Sequence, residues 1–118
     1  MNIKVREAKP KDFERLEEIL VSNKMLICPE IDGREAMGRI RERAGRYFLV
    51  AEVDNNVVGL IRGCYDGSRA LIHQMAVDIN HQRQGIGKRL IKPNPIEIRI
   101  IILKKYPQPL SDVFPAMS

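Results

Sequence analysis

The sequence predicts an α/β (α+β) domain: a central mixed, mostly antiparallel sheet flanked by helices. Three observations carry this. Ile3 and Val5 alternate with Lys4 and Arg6, and Phe13, Leu16, Ile19 and Leu20 then recur at helical spacing, so a strand precedes a helix. Three β-patterned segments run from Tyr47 to Val77, separated by the turn chemistry of Asp54-Asn55-Asn56 and Asp66-Gly67-Ser68, which gives an antiparallel meander. A glycine-bearing polar stretch, Gln82 to Lys88, then joins the last of these strands to a helix.

Taken in order, the first strand holds Ile3 and Val5 with Ala8 at its end. Pro10 suits the first turn of the helix that follows, and Asp12 and Glu14 place negative charge at its start. That helix ends near Ser22-Asn23. Met25 to Ile31 has no clean period and reads as loop. Asp32-Gly33 opens a second helix through Ala44, with Ala36, Met37 and Ile40 as a narrow apolar stripe, and Gly45 closes it. The meander strands are Tyr47–Val53, Val57–Tyr65 and Arg69–Val77. The helix that opens near Gly85 is short because Pro93 and Pro95 cannot continue it. Ile96 to Leu103 reads as a fifth strand, and the segment from Lys104 as irregular.

A chain of 118 residues makes one domain, 1–118, with one modest core. Tryptophan is absent and aromatics are few, so that core is aliphatic. The net charge of +5 suits a protein that handles an acidic small molecule. Its basic residues are interspersed with acidic ones and lack an aromatic platform, which argues against nucleic acid. Cys28 and Cys64 form no CxxC pair and meet no histidine cluster. Two reduced thiols are therefore expected, with no disulfide and no metal site. The N-terminus lacks the apolar block of a signal peptide, and no run approaches the roughly 20 apolar residues that span a bilayer. A soluble cytoplasmic protein without membrane contact is the expectation.

The glycine-bearing stretch carries the chemistry. A turn between strand and helix presents amides without helical partners, and the helix dipole adds positive potential. Gly85 and Gly87 lack a Cβ, so a phosphate could approach the main chain. A dinucleotide-binding turn needs a parallel βαβ unit and a third glycine, but Leu90 stands at that position and the preceding strands are hairpin-linked. A P-loop is excluded because its G-x-x-x-x-G-K-[ST] pattern is absent.

The order strand, helix, helix, three-strand meander, then Q-x-x-G-x-G opening a helix resembles the GNAT superfamily of N-acetyltransferases. Gln82, Gly85 and Gly87 fill the fixed positions of that family's motif, behind the strand end at Ala76-Val77. The resemblance covers Ile3 to Ile91, so 1–92 is the matched part and 93–118 an atypical end. It implies acetyl-CoA, or another acyl-CoA, as donor and a primary amine on a small molecule or protein as acceptor. It further implies that main-chain groups of Met75, Ala76 and Val77 pair with the pantetheine arm. Amides of Gln82, Arg83, Gln84, Gly85, Ile86, Gly87 and Lys88 would hold the pyrophosphate.

Catalytic residues are less legible. The family often places a glutamate base on the central meander strand, but here that neighbourhood reads Leu71, Ile72, His73, Gln74. His73 is the nearest titratable residue, sharing a face with Leu71 and Met75 by strand alternation. Glu52, on an earlier strand, is the second candidate. The family's leaving-group acid is commonly a tyrosine after the fifth strand. Tyr106 follows that strand here, but Pro107 and Pro109 oppose the usual helix. After Lys92 the chain is either a minimal version completed by a partner or a C-terminus foreign to the family, as a reading-frame change would produce. Ile98, Ile100 and Ile102 beside an open sheet edge then predict a homo-oligomer. Three functional readings follow: an N-acetyltransferase, an acyl-CoA-binding module without competent catalysis, and a small basic interaction protein. Ser22 to Gly45 would face the acceptor. Arg34, Arg39, Arg41 and Arg43 there hint at an acidic one, although a solvated helix face explains them equally.

Overall fold

A computed structural model describes residues 2–26, 28–43, 45–65 and 70–91. The elements are β1 (Ile3–Glu7), α1 (Phe13–Ser22), α2 (Pro29–Asp32), α3 (Arg34–Glu42), β2 (Arg46–Val53), β3 (Asn56–Tyr65), β4 (Ala70–Val77) and α4 (Ile86–Ile91). Single 3-10 turns at Pro10–Asp12 and Ile79–His81 lead into α1 and out of β4. The strands form one four-stranded sheet in the order β1-β2-β3-β4, and each neighbouring pair is antiparallel. The expected fifth strand, Ile96 to Leu103, lies outside the described residues, as do Tyr106 and the Asp66-Gly67-Ser68 turn.

Alternation along the strands divides the core into two layers. Phe48, Val50, Val57, Leu60 and Ala76 face the α1 and α3 side, against Phe13, Leu16, Ile19, Leu20 and Met37. Phe13 stacks on Phe48 with ring centroids 6.1 Å apart. Tyr47, Leu49, Ala51, Val53, Val58 and Ile61 face the other way, where Ile86 and Leu90 of α4 cover them. Each fully buried aliphatic side chain contributes about 1.5–3 kcal/mol relative to exposure.

The local reading needs one correction. Met25 to Ile31 is not all loop, because Pro29–Asp32 forms a single helical turn with proline at its start. One turn is too short to show a period, and proline with two acids in the first turn is the signal that marks it. Asp32 therefore closes α2, and Gly33 links it to α3. The Asp54-Asn55 turn has φ of 52° and 67°, the left-handed pair that a tight two-residue hairpin requires.

Two bulges interrupt the ladders. Glu52 pairs with Val57 but Ala51 pairs with Gly59, so Val58 is the extra residue on β3. Arg62 pairs with Gln74 but Gly63 pairs with Ile72, so His73 is the extra residue on β4. A bulge bends its strand and re-aims the side chain it carries. A Cβ on Gly63 would sit 2.2 Å from the Leu71 carbonyl oxygen and 2.6 Å from the Tyr47 hydroxyl, so only glycine lets the strands meet this closely.

Candidate functional site

The end of β4 is laced to α1 by side chains. Asp78, buried, accepts the Asn80 amide at 3.0 Å and pairs with Arg15 of α1. The Asn80 amide bond holds its carboxyl below the ordinary range; burial opposes this and the Arg15 guanidinium reinforces it. Arg15 Nε also donates to the Val57 carbonyl at 3.0 Å. Asn23, at the C-terminus of α1, donates through Nδ2 to the Val77 carbonyl at 2.9 Å. Gln82 Nε2 donates to that same carbonyl at 3.1 Å and to Asn23 Oδ1 at 2.9 Å. The motif glutamine is thus a tether that fixes where the turn begins.

Past Gln82 the backbone reverses through two left-handed residues, Arg83 at φ 64° and Gly85 at φ 86°. Helix α4 starts at Ile86, and its Arg89 amide donates to the Gly85 carbonyl at 3.0 Å. The amides of Ile86, Gly87 and Lys88 precede that bond and have no helical partner. Ile86 and Leu90, both buried, clamp the helix to the sheet. A Cβ on Gly85 would meet nothing within 4 Å, so its side faces open space.

Between the strand end and this turn lies a cleft of about 510 Å³. Met75, Ala76, Val77, Gln82, Arg83, Gly85, Ile86, Gly87 and Lys88 line it together; Gln84 does not. Asn23 and His81 line it too, and sequence reasoning passed over both. Nothing in the sequence ties a helix-ending asparagine to a strand 54 residues away. His81 stood beside the motif without belonging to its pattern. Its Nδ1 is buried without a hydrogen bond and lies 3.8 Å from Asp78 Oδ2. With apolar Met75 and Ile86, cationic Arg83 and Lys88, and unpaired amides, the lining fits an elongated anionic ligand with an apolar arm.

The two catalytic candidates lie apart. Glu52 is gripped by Arg6, whose Nε donates to it at 2.7 Å. It lines a separate 240 Å³ hollow with Asn2, Lys4, Asp54 and Asn55 at the β1 side of the sheet. Arg6 also donates to both Asp12 oxygens, at 2.8 and 2.9 Å. His73 lies on β4 itself, two residues before Met75. The bulge there breaks the alternation that would have set it beside Met75. Met75 packs in the α4-side layer, whereas His73 Nε2 sits 3.2 Å from Arg46 Nη1 and 3.4 Å from Cys64 Sγ. Arginine only donates, so a neutral imidazole protonated on Nδ1 satisfies the Arg46 contact. Cys28 and Cys64 are both free thiols. No helix among the described residues is long and apolar enough to cross a membrane.

The chain has relatives in sequence and in fold. A sequence profile of the acetyltransferase (GNAT) domain matches residues 44–105. No curated protein sequence matches the chain. Among solved structures, the PaiA N-acetyltransferase of Thermoplasma acidophilum, in complex with coenzyme A, superposes with a TM-score of 0.67 at 20% identity, over 89% of this chain and 74% of that one. An aminoglycoside acetyltransferase from an uncultured soil metagenomic sample, in complex with sisomicin, gives 0.59 at 25% identity, over 87% and 71%. A GNAT-family acetyltransferase of Staphylococcus aureus Mu50 gives 0.65 at 21% identity, over 88% and 68%. The profile spans more than half of the chain, and the chain belongs to the GNAT acetyltransferase family.

Proposed function

We propose that the protein transfers an acetyl group from acetyl-CoA to a primary amine. The observation that carries this is the cleft between Met75–Val77 and the Gly85–Lys88 turn, which joins a strand edge to a row of amides without helical partners. The relative solved with coenzyme A and the relative solved with sisomicin, an aminoglycoside, support the donor and acceptor classes. The pyrophosphate of the donor would take the amides of Ile86, Gly87 and Lys88, with Arg83 and Lys88 adding charge. The Val77 carbonyl already accepts two hydrogen bonds, and Ala76 turns its main chain toward β3, so strand-like pairing with a pantetheine arm falls to the main chain of Met75.

The reaction asks little more of the protein than positioning and one proton transfer. The amine nitrogen bonds to the acetyl carbon as the carbon–sulfur bond breaks; the nitrogen gives up a proton and the sulfur takes one. We assign proton acceptance to His73, on the strand that lines the cleft, rather than to Glu52, which is held by Arg6 across the sheet. We also take residues 1–118 as one cytoplasmic domain, in keeping with two free thiols. Self-association through the β4 side is the matching proposal for assembly, since Leu71 and Ile72 are exposed there. Sedimentation that returns only monomer would overturn it.

A second reading has its own observation. Both candidate bases are engaged, His73 by Arg46 and Glu52 by Arg6, which favours a module that binds acyl-CoA without turnover. Calorimetric titration with acetyl-CoA tests the shared claim, and no heat of binding sinks both readings. Thiol release with a panel of amines separates them. For an enzyme, His73→Gln should lower kcat while KM for acetyl-CoA stays within about twofold.

A further inference from the structure

On the α1–α3 side of the sheet a second hollow, of about 180 Å³, opens beside the β4 bulge. Its walls include Ile31, Ile40, Arg43, Arg46, Arg62 and His73: three arginines, with no carboxylate in the lining among the described residues. Of the arginines that the sequence marked in the α2–α3 region, the others are occupied. Arg34 pairs with Glu17, Arg39 donates to the Glu30 carbonyl, and Arg41 donates to the Ala8 carbonyl. Arg43, by contrast, makes no ion pair among the described residues and faces the hollow.

Arg62 is the deepest member, 7% exposed in the middle of β3. Its Nη2 reaches the Ile31 carbonyl at 3.4 Å and Asp32 Oδ1 at 3.5 Å, both long. Its Nε and Nη1 are buried with no hydrogen-bond partner among the described residues. A buried cation with donors unmet is costly, and a residue kept only for packing would carry no such donors. Asp32 accounts for one corner of the guanidinium. Nη2 forms one parallel pair of donors with Nε and another with Nη1, and since its own contacts are long and Nε and Nη1 have no partner among the described residues, either pair offers the geometry a carboxylate takes up with its two oxygens.

We propose that this hollow is the anion subsite of the acceptor, so that the amine acetylated carries a carboxylate of its own. This rests on the transferase reading above and narrows it to a substrate class. The placement suits it. His73 lines the hollow and stands two residues, about 7 Å along a strand, from Met75 at the cleft. An acceptor anchored on Arg62, with Arg43 and Arg46 around its charge, presents its amine toward His73 and the strand that borders the donor cleft. A polycationic amine would meet three like charges at the same entrance.

The test uses the full chain with acetyl-CoA and follows thiol release from glycine, β-alanine and γ-aminobutyrate, each beside its carboxamide, with 3-aminopropylphosphonate and spermidine as further arms. The best amino acid should exceed its carboxamide about tenfold or more in kcat/KM. Arg43→Ala, at an exposed position that leaves folding intact, should cut that preference severalfold, mostly through KM. Arg62→Lys, which keeps a charge but loses the planar edge, should cut it further. Equal rates within each pair, or spermidine as the fastest acceptor, would overturn the proposal; a lead for the phosphonate would overturn the carboxylate assignment. If no amine releases thiol, the transferase reading is what fails. The subsite is then decided by titrating γ-aminobutyrate and its carboxamide directly. Carboxylate-selective binding that weakens in Arg43→Ala upholds the subsite, and binding without selectivity, or none at millimolar concentration, overturns it.

Discussion

Gly85→Ala separates what the turn does for folding from what it does for a ligand. Gly85 sits at φ 86°, where a residue with a Cβ is strained by about 1–2 kcal/mol. No packing cost is added, because the new methyl would meet nothing within 4 Å. The expected destabilisation is therefore about 1–2 kcal/mol, which for a chain of this size lowers the melting temperature by roughly 4–8 °C. The methyl would project into the space where phosphate oxygens must approach the amides of α4. Loss of that approach should weaken CoA binding tenfold or more, or about 1.4 kcal/mol upward. Gly87→Ala is the control for stability alone. Its Cβ would lie 3.8 Å from Met75 Cε, an ordinary contact, and within a helix alanine gains up to about 1 kcal/mol over glycine. Thermal melts report the first effect. Calorimetric titration with CoA, well below both midpoints, reports the second. A folded Gly85→Ala protein that binds CoA within twofold of wild type would refute the close-approach reasoning. A stability loss above about 4 kcal/mol would refute the claim that this position is open.

Three further outcomes follow from packing and charge. Gly63→Ala should cost about 3 kcal/mol or more, read from denaturation midpoints, because its Cβ would stand 2.2 Å from a backbone oxygen that cannot yield without breaking the bulge. Leu90→Ala, at 1% exposure, should cost about 2–5 kcal/mol. It should weaken CoA binding more than Leu16→Ala on the opposite layer, because Ile86 and Leu90 are the buried residues of α4; equal losses would sever the helix from the site. Burial alone would raise the Asp12 carboxyl, but hydrogen bonds from Arg6 and the Lys9 amide hold it below the ordinary value. The sign follows from that depression. The carboxylate stabilises the fold above its unfolded pKa, and the contribution disappears as pH falls through the lowered folded value. Asp12→Asn should cost about 1.5–3 kcal/mol at pH 7 and show a shallower acid loss than wild type in urea titrations; parallel acid losses would discount Asp12.

What the sequence made legible depended on the range of the forces involved. The spacing of Phe13, Leu16, Ile19 and Leu20 marks α1 because a helix writes its buried face within a few residues. Asp54-Asn55 marks its hairpin because the left-handed turn is chosen by those two residues. The glycine turn was legible for the same reason. The His73 bulge was not: its cause lies across the ladder, in Gly63 and the close passage of the Leu71 carbonyl. A two-residue period therefore put His73 beside Met75 and on the wrong layer. Glu52 looked available on its own strand, yet Arg6, 46 positions earlier, claims it. Arg62 drew no notice because one charge inside an apolar strand of ten residues reads as noise until its neighbours are placed.

The same contrast divides the two halves of the proposed chemistry. Around the cleft, side chains do structural work: Asp78 and Arg15, Asn23 and Gln82 bond to each other and to the main chain. What the proposed ligand would meet there is backbone, at Met75 and the start of α4. A site made of backbone needs only the right turn, so glycines at fixed spacing suffice to announce it, and it suits a donor shared by many proteins. The hollow at Arg62 is built the other way, from side chains of α2, α3 and its C-terminal cap, β2, β3 and β4 brought together by the sheet and its bulge. No local pattern encodes such a set, and altering one member changes its charge without disturbing the cleft. On the proposed function, donor binding is readable from a short motif, whereas acceptor choice would be held by long-range contacts between side chains, free to differ among proteins that keep the same turn.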